Sequence, residues 1–209
     1  AYDCAKIIDN KKEMAASILG IGMINSYLDN HEEHFKCLIE AKIIYEKLGD
    51  KSGNAGVLLG LSSYYSHKCD YDESIKYLKK LYELNKQLGE QDGHTLYVFA
   101  AKYLFMGKLN QAHKYLNRTI KYYKSVENNP VRLAYAYGLL GEYYLEKSNY
   151  STAINYFEKE LKYWKDVSEG YNSSEFRLLT FIYWAKKKMN LNYDKKKIYK
   201  LIEQDNLDK

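Results

Sequence analysis

Apolar residues recur at helical spacing in two adjacent segments between Val131 and Leu161. The first stripe consists of Leu133, Tyr137, Leu140, Gly141 and Tyr144, and the second of Tyr150, Ala153, Ile154, Phe157 and Leu161. Positions separated by three or four residues share one face of an α-helix. The segment Ser148-Asn149-Tyr150 between the stripes is typical of a turn. The pattern therefore predicts two helices joined in a tight hairpin.

The same pattern occurs four times along the chain. A small residue marks its centre at Gly22, Ser62, Ala100 and Gly141, with intervals of 40, 38 and 41 residues. A large apolar residue precedes each of them, and a tyrosine follows three positions later in all but the first copy, which has Asn25. A hairpin with two apolar faces cannot bury both of them alone, so each copy needs neighbours of the same kind. We therefore expect an all-α stack of antiparallel helix pairs.

Signals for helix ends recur at the same period. Asn30 and Asp70 stand where helix caps are expected, each followed three residues later by a glutamate whose carboxylate we expect to reach back to the free amides. Gly49 and Gly89 follow the last apolar residue of two helices, where a left-handed cap favours glycine. Pro130 fits the first turn of a further helix.

The motif Leu140-Gly141-x-x-Tyr144, followed by Asn149-Tyr150, Ala153 and Phe157, resembles the tetratricopeptide repeat. The period near 40 residues, with Leu-Gly-Asp at a repeat end, is similar to the longer repeats of bacterial signalling and regulatory proteins. This resemblance implies a right-handed superhelical α-solenoid whose first helices line a concave groove. It also implies a non-catalytic module that binds a protein or peptide segment.

The repeats predict a single solenoid domain over residues 1–209. We place its repeats at 15–54, 55–92, 93–133 and 134–174, with a degenerate, lysine-rich capping repeat at 175–209. Residues 1–12 align with the end of a preceding repeat, so we expect the chain to be a fragment of a larger protein.

Composition adds limits to this interpretation. The net charge of +5 arises from basic residues interleaved with glutamate, which argues against a nucleic-acid partner. The chain has 24 tyrosines, whose apolar ring and polar tip suit thin helical layers close to water. Its three cysteines have no metal-ligand spacing, and no apolar run is long enough to cross a membrane. We expect a cytoplasmic protein without a membrane partner.

Motifs for catalysis, metals and cofactors are weak or absent. His31-Glu32-Glu33-His34 lacks the spacing of a zinc-protease motif and straddles a predicted helix start, so capping and packing are the expected roles. Gly20-Ile21-Gly22 lies within a helical pattern, where close helix packing explains it better than a dinucleotide loop. We therefore expect no enzyme activity, no metal and no cofactor.

The resemblance places candidate partner-binding residues on the first helices, about 100° from the packing face. They are Tyr27, Ser63, His67, His94, Tyr97, Phe105, Tyr135, Glu142, Glu146, Tyr183 and Lys186. An amphipathic helix or an extended peptide with aliphatic anchors would suit this surface. Leu19 and Met23 replace the Lys and Asn of chaperone-binding repeats, which argues against that class of partner.

Two functions remain open from the sequence. The first is an interaction module that binds a partner segment or another domain of its parent chain. The second is a sensor domain of a larger signalling or transcriptional regulator, in which a short peptide or small ligand changes the output of another domain. Binding that weakens steeply with salt would instead indicate nucleic acid.

Overall fold

The described part of the chain, residues 10–89, 93–126, 129–167 and 173–192 of a computed structural model, is α-helical without strands. Its nine helices are α1 (Lys11–Tyr27), α2 (His31–Leu48), α3 (Lys51–His67), α4 (Tyr71–Gln87), α5 (Gly93–Phe105), α6 (Leu109–Ser125), α7 (Pro130–Glu146), α8 (Tyr150–Val167) and α9 (Ser173–Lys188). The predicted all-α class is confirmed. Residues 1–9 and 193–209, which hold most of the predicted preceding repeat and part of the capping repeat, lie outside the described residues.

The chain divides into two compact units, Ala1–Thr95 and Leu96–Lys209. In the first unit, α1 packs on α2, α2 on α3 and α3 on α4. Its core is apolar and contains Ala15, Ile18, Cys37, Leu38, Ala41, Tyr45, Val57, Leu61 and Tyr64. The helices therefore associate as consecutive neighbours, as stacked hairpins do.

The second unit contains two groups of buried apolar side chains. One is built from α5, α6 and α7 around Ala100, Leu116 and Leu140. The other is built from α8 and α9 around Phe157 and Leu178. Tyr144 of α7 packs against both groups, so the hairpins of this unit share one continuous interior.

The predicted small residues are buried against the second helix of their hairpins. Ser62 forms a 2.9 Å hydrogen bond with Ser74 across the α3–α4 hairpin. Gly141 leaves so little room that a Cβ atom there would lie 2.4 Å from the Phe157 ring. In the glycine pair, Gly22 is packed as expected, with a Cβ 2.9 Å from Cys37, whereas a Cβ on Gly20 meets nothing within 4 Å.

The structure confirms the predicted helix caps but not the predicted role of the glutamates that follow them. The side chains of Asn30, Asp70 and Asn129 accept hydrogen bonds from the amide three residues later. The following glutamates do not reach back as expected. Glu33 contacts Lys36 at 3.4 Å, and Glu73 contacts Lys76. A lysine one helical turn away offers a charged partner that competes with the backbone amide.

The helix bounds also refine the start of the first repeat. Asn10 is the N-cap of α1, and its side chain accepts a hydrogen bond from the Glu13 amide. Residues 11 and 12 therefore lie in the first turn of α1, although the sequence analysis assigns 1–12 to a preceding helix. Gly49 and Gly89 adopt the expected left-handed conformation, with φ of 65° and 75°.

A column of two tyrosines and a cation recurs in three hairpins. The tyrosine of the first helix stacks on one twelve residues later, in the pairs Tyr65–Tyr77, Tyr103–Tyr115 and Tyr144–Tyr156, with ring centroids 5.4, 5.5 and 5.5 Å apart. Lys80, Arg118 and Lys159 lie over the second ring at 5.1, 5.5 and 4.7 Å. Each column ties the two helices of one hairpin together through ring stacking and cation–π attraction.

Candidate functional site

Three predicted site residues come together in the second unit, on the first helices of consecutive hairpins. Tyr97 lies on α5, and Tyr135 and Glu142 lie on α7. Tyr135 and Glu142 are seven residues apart, which places them on one side of the helix. Burial raises the pKa of Tyr97 to about 12, and the charges of Glu142 and Glu160 raise it further. The Tyr97 hydroxyl is therefore a neutral hydrogen-bond donor beside carboxylates at ordinary pH.

Arg177 of α9 connects Glu142 of α7 to Glu160 of α8, the second helix of the same hairpin. One guanidinium nitrogen donates to Glu142 Oε1 at 2.7 Å. Another donates to Glu160 Oε1 at 3.1 Å and to its Oε2 at 3.4 Å. The side chains of Arg177 and Glu142 are 39% and 35% exposed, whereas Glu160 is fully buried. The site thus has a buried carboxylate beneath a partly exposed ion pair.

The interior of the site is shaped to hold the Glu160 carboxylate. A Cβ atom on Gly138 of α7 would lie 1.9 Å from Glu160 Oε2, so only glycine leaves this carboxylate its place. Trp164, one helical turn after Glu160, donates its indole N–H to Oε1 at 3.3 Å. The Trp164 ring makes an edge contact with Tyr135, with centroids 5.1 Å apart. Tyrosine, tryptophan and carboxylate therefore form one connected group.

Burial is the largest influence on the pKa of both carboxylates. It raises the pKa of Glu160 to about 7, while Arg177 and the Trp164 hydrogen bond act in the opposite direction and Glu142 raises it. Burial also raises the pKa of Glu142, against the lowering effect of Arg177. Removing a carboxylate from water disfavours its charged form, and one guanidinium shared by two carboxylates compensates only in part.

The other predicted site residues of α5, α7 and α9 are exposed or half-buried. Phe105, at the end of α5, is 74% exposed, and Glu146 of α7 is also exposed. Tyr183 and Lys186 of α9 are half-buried. His94, one turn before Tyr97 on α5, is half-buried as well.

In the first unit, the predicted residues have different surroundings. Tyr27, at the end of α1, is 83% exposed, and Ser63 of α3 is half-buried. His67 of α3 is exposed and stacks on His31, with ring centroids 5.5 Å apart. Burial, followed by the charges of His67 and His31, lowers the pKa of His34, which is packed against Gly22.

Glu160, Trp164 and Arg177 are the members that the sequence analysis missed. Their signal is a charged residue within an apolar stripe, because Glu160 stands between Phe157 and Leu161. A glutamate at such a position needs a cation and a gap in the facing helix. Arg177 and Gly138 supply these, but they lie 17 and 22 residues away, and the periodic pattern alone does not connect them.

The described residues contain no group of three or more His, Cys, Asp or Glu side chains that could hold a metal ion. His31 and His34 belong to the segment that was considered as a weak zinc motif. His31 stacks on His67, and His34 packs against Gly22. None of the helices in this part of the chain is both long and apolar enough to cross a membrane.

The geometry defines a class of protein, an all-α repeat of helical hairpins. A tetratricopeptide-repeat family model matches residues 54–125. The resemblance stated from the sequence is therefore confirmed over these residues. This family is generally a non-catalytic scaffold for interactions between proteins. A comparison with curated protein sequences finds no match.

Solved structures share this fold at low sequence identity. BtubC (BKLC) from P. vanneervenii is 14% identical with a TM-score of 0.75, and the match covers 93% of this chain and 79% of that one. A signal transduction ATPase with numerous domains and a tetratricopeptide repeat sensor, from Pyrococcus horikoshii, is 18% identical with a TM-score of 0.74, covering 93% and 30%. NprR in complex with its cognate peptide NprX is 14% identical with a TM-score of 0.68, covering 97% and 58%. The chain thus spans less than a third of the ATPase.

Proposed function

We propose that the chain is a non-catalytic interaction module that binds a protein or peptide segment on the first helices of its repeats. The observation that carries this proposal is the site formed by Tyr97, Tyr135 and Glu142. Aromatic rings beside a partly exposed charge are typical of residues that anchor a partner. The general role of tetratricopeptide repeats supports the same function.

Within this site, Tyr135 is the best candidate for direct contact with a partner. It is 44% exposed, and its ring is held in place by the edge contact with Trp164. An aromatic side chain held in one orientation loses little conformational entropy on binding. Tyr97 is more buried and packs against the core around Leu140, so its substitution by alanine would also destabilise the fold.

Selection of binding peptides tests the proposal. A library of twelve-residue peptides is selected on the immobilised chain, and each selected peptide is then measured against Tyr135→Ala and Tyr122→Ala. Tyr122 on the second helix α6 is the matched control, because its ring also makes an edge contact with a neighbouring aromatic, Tyr123. Circular dichroism of both variants checks that they remain folded.

We expect Tyr135→Ala to weaken peptide binding by about tenfold or more, since an aromatic anchor typically contributes more than about 1 kcal/mol. Tyr122→Ala leaves affinity unchanged. Equal loss in both variants, or in neither, would mean that peptides bind elsewhere on the chain. A loss of affinity with rising salt, for oligonucleotides rather than peptides, would indicate the nucleic-acid alternative.

A ligand-responsive sensor is the second candidate. The likeness to NprR bound to its peptide and to an ATPase with a tetratricopeptide repeat sensor favours it. In that case a selected peptide would also change amide hydrogen exchange in helices far from Tyr135, because a sensor must transmit binding to another part of the molecule. Protection confined to α5, α7 and α9 would favour the simple interaction module. A cytoplasmic location is also part of this proposal, supported by the odd number of cysteines.

A further inference from the structure

The site around Arg177 has an excess of negative charge. Two carboxylates, Glu142 and Glu160, share one guanidinium. Among the described residues, Arg177 hydrogen-bonds Glu142 through Oε1 alone. Oε2 of this partly exposed carboxylate thus keeps its capacity to accept a hydrogen bond. When both carboxylates are ionised, the group carries a net charge of −1.

Aromatic rings lie beside this charge. Tyr135 is two helical turns before Glu142 on α7 and contacts the edge of Trp164, which in turn binds Glu160. The face of an aromatic ring attracts a cation because the π electrons give it a partial negative charge. A carboxylate oxygen and an aromatic face on one surface are complementary to a lysine or arginine side chain.

We propose that the Glu142–Tyr135 surface binds a cationic side chain, lysine or arginine, of a peptide partner. This rests on the proposed function, because the peptide must lie along the first helices. The cation would pair with Glu142 and lie against Tyr135. Together with Arg177 it would neutralise the charges of both carboxylates. The basic residue of the peptide would thus set the position of the peptide along the first helices.

Other ligand chemistries fit the site less well. An anion would need to displace Glu142 from Arg177 and would add a third negative charge beside Glu160. An aliphatic side chain would remove water from Glu142 without supplying a hydrogen-bond donor, which is costly for an ionised group. A cation removes the charge imbalance without breaking an existing hydrogen bond.

Proton release should accompany the binding of a cation. The groups facing Glu160 are Arg177 of α9, Glu142 of α7 and Trp164 of its own helix, with the Tyr97 hydroxyl close by on α5. A bound cation favours the ionised carboxylates, so affinity increases as pH rises from 6 to 8. A Glu160→Gln variant tests whether Glu160 is the group that releases the proton.

The experiment uses three small probes and the two tryptophans of the chain. N-acetyl-arginine amide supplies the cation, N-acetyl-citrulline amide is its neutral isostere, and N-acetyl-glutamate amide is an anion. The indole N–H signal of Trp164 in nitrogen–proton correlation spectra reports on the site. Trp184, which contacts Tyr150 and Lys188 on another part of the unit, is the internal reference.

We expect the arginine probe to shift the Trp164 signal saturably, at least about tenfold more tightly than the citrulline probe. Its affinity should increase about three- to tenfold between pH 6 and pH 8, and Glu160→Gln should remove this increase. Glu142→Gln should abolish the preference for arginine over citrulline. Glu158→Gln is the matched control, since Glu158 is an exposed glutamate on α8 outside the predicted binding face, and it should leave the preference intact.

Two outcomes would overturn the inference. Tighter binding of the glutamate probe would mean that Arg177 accepts an anion, and equal binding of all three probes would mean that charge is not recognised. The peptide selection described above distinguishes these failures from a failure of the proposed function. Selected peptides that need Tyr135 but contain no basic residue would leave the interaction module standing and refute the cation preference alone.

Discussion

Glu160 is a carboxylate without solvent contact that depends on three other helical residues. Arg177 and Trp164 donate hydrogen bonds to it, and Gly138 leaves it space. Removal of any of these partners would leave a buried charge or an overlap between atoms, whereas an apolar residue at position 160 would need none of them. The arrangement is therefore expected to contribute specificity at the site more than stability to the fold.

The raised pKa of Glu160 predicts how stability changes with pH. Its pKa is about 7 in the folded chain against an ordinary value of 4.5, so the folded state binds more protons between these values. The resulting stabilisation is fully present below pH 4.5 and is lost as pH rises through 7. The free energy of unfolding of Glu160→Gln, minus that of the unchanged chain, should rise by about 2–3 kcal/mol from pH 5 to pH 8.

Urea denaturation of both proteins across this pH range measures the difference. His34, whose pKa is lowered, acts with the opposite sign, because the folded state disfavours its proton and regains stability as pH rises. Its contribution is the same in both proteins and cancels. A difference that stays constant with pH would mean that Glu160 remains ionised throughout and that Arg177 outweighs burial.

The residues of the candidate site differ in how far the sequence could predict them. Tyr135 and Glu142 were predicted from the resemblance to the tetratricopeptide repeat, which implies a binding face on the first helices, and from their positions relative to Gly141. Glu160 and Arg177 do not, because their pairing depends on which side chains meet across three helices. Such long-range pairing is fixed by packing, which the spacing of residues along one helix does not encode.

At the scale of the helix, close packing requires glycine at position 141 but not at position 20. Gly141 faces the ring of Phe157, which is fully buried and cannot move aside, whereas Gly20 faces open space. We expect Gly141→Ala to lower the free energy of unfolding by about 1–3 kcal/mol through overpacking. Gly20→Ala should raise it by about 0.5–1 kcal/mol, because alanine favours a helix more than glycine does.

Thermal and urea unfolding measure the change in the free energy of unfolding in Gly141→Ala and Gly20→Ala. Each variant is the matched control of the other, because the two expected changes have opposite signs. Gly141→Leu should destabilise more than Gly141→Ala because a larger side chain meets the same ring. If both alanine variants proved stabilising, helix propensity would dominate at both positions, and the close contact between α7 and α8 would not exist in solution.

Helices and their ends were predictable because their causes are local. Asn30, Asp70 and Gly49 act on backbone groups within a few residues, so their types and positions are sufficient evidence. The second tyrosine of each stacked pair was not predicted, although it lies at a constant spacing of twelve residues. Its role depends on how two helices face each other across a turn, which becomes evident only when both are placed.

At the scale of the whole molecule, the division into two units predicts how the chain unfolds. Both tryptophans, Trp164 and Trp184, lie in the second unit, so their fluorescence reports on that unit alone. Leu38 is fully buried in the core of the first unit, and Leu38→Ala should cost about 2–5 kcal/mol. We expect this variant to lower the melting temperature seen by circular dichroism and to leave the fluorescence transition nearly unchanged.

Leu116→Ala, which removes a fully buried leucine from the second unit, is the matched counterpart and should shift the fluorescence transition. Repeat proteins distribute stability between repeats and the contacts of neighbours, so cooperation across the chain is a measurable quantity. Equal shifts of both signals in both variants would show that the 209 residues unfold as one cooperative structure.

The column of two tyrosines and a cation has a consequence for the history of such a chain. All three members of a column belong to one hairpin, as in Tyr144, Tyr156 and Lys159. A gene segment that encodes one hairpin therefore encodes all three side chains of the column. Duplication, loss or exchange of such a segment would leave the column intact, which makes the hairpin an interchangeable part for evolution and for protein engineering alike.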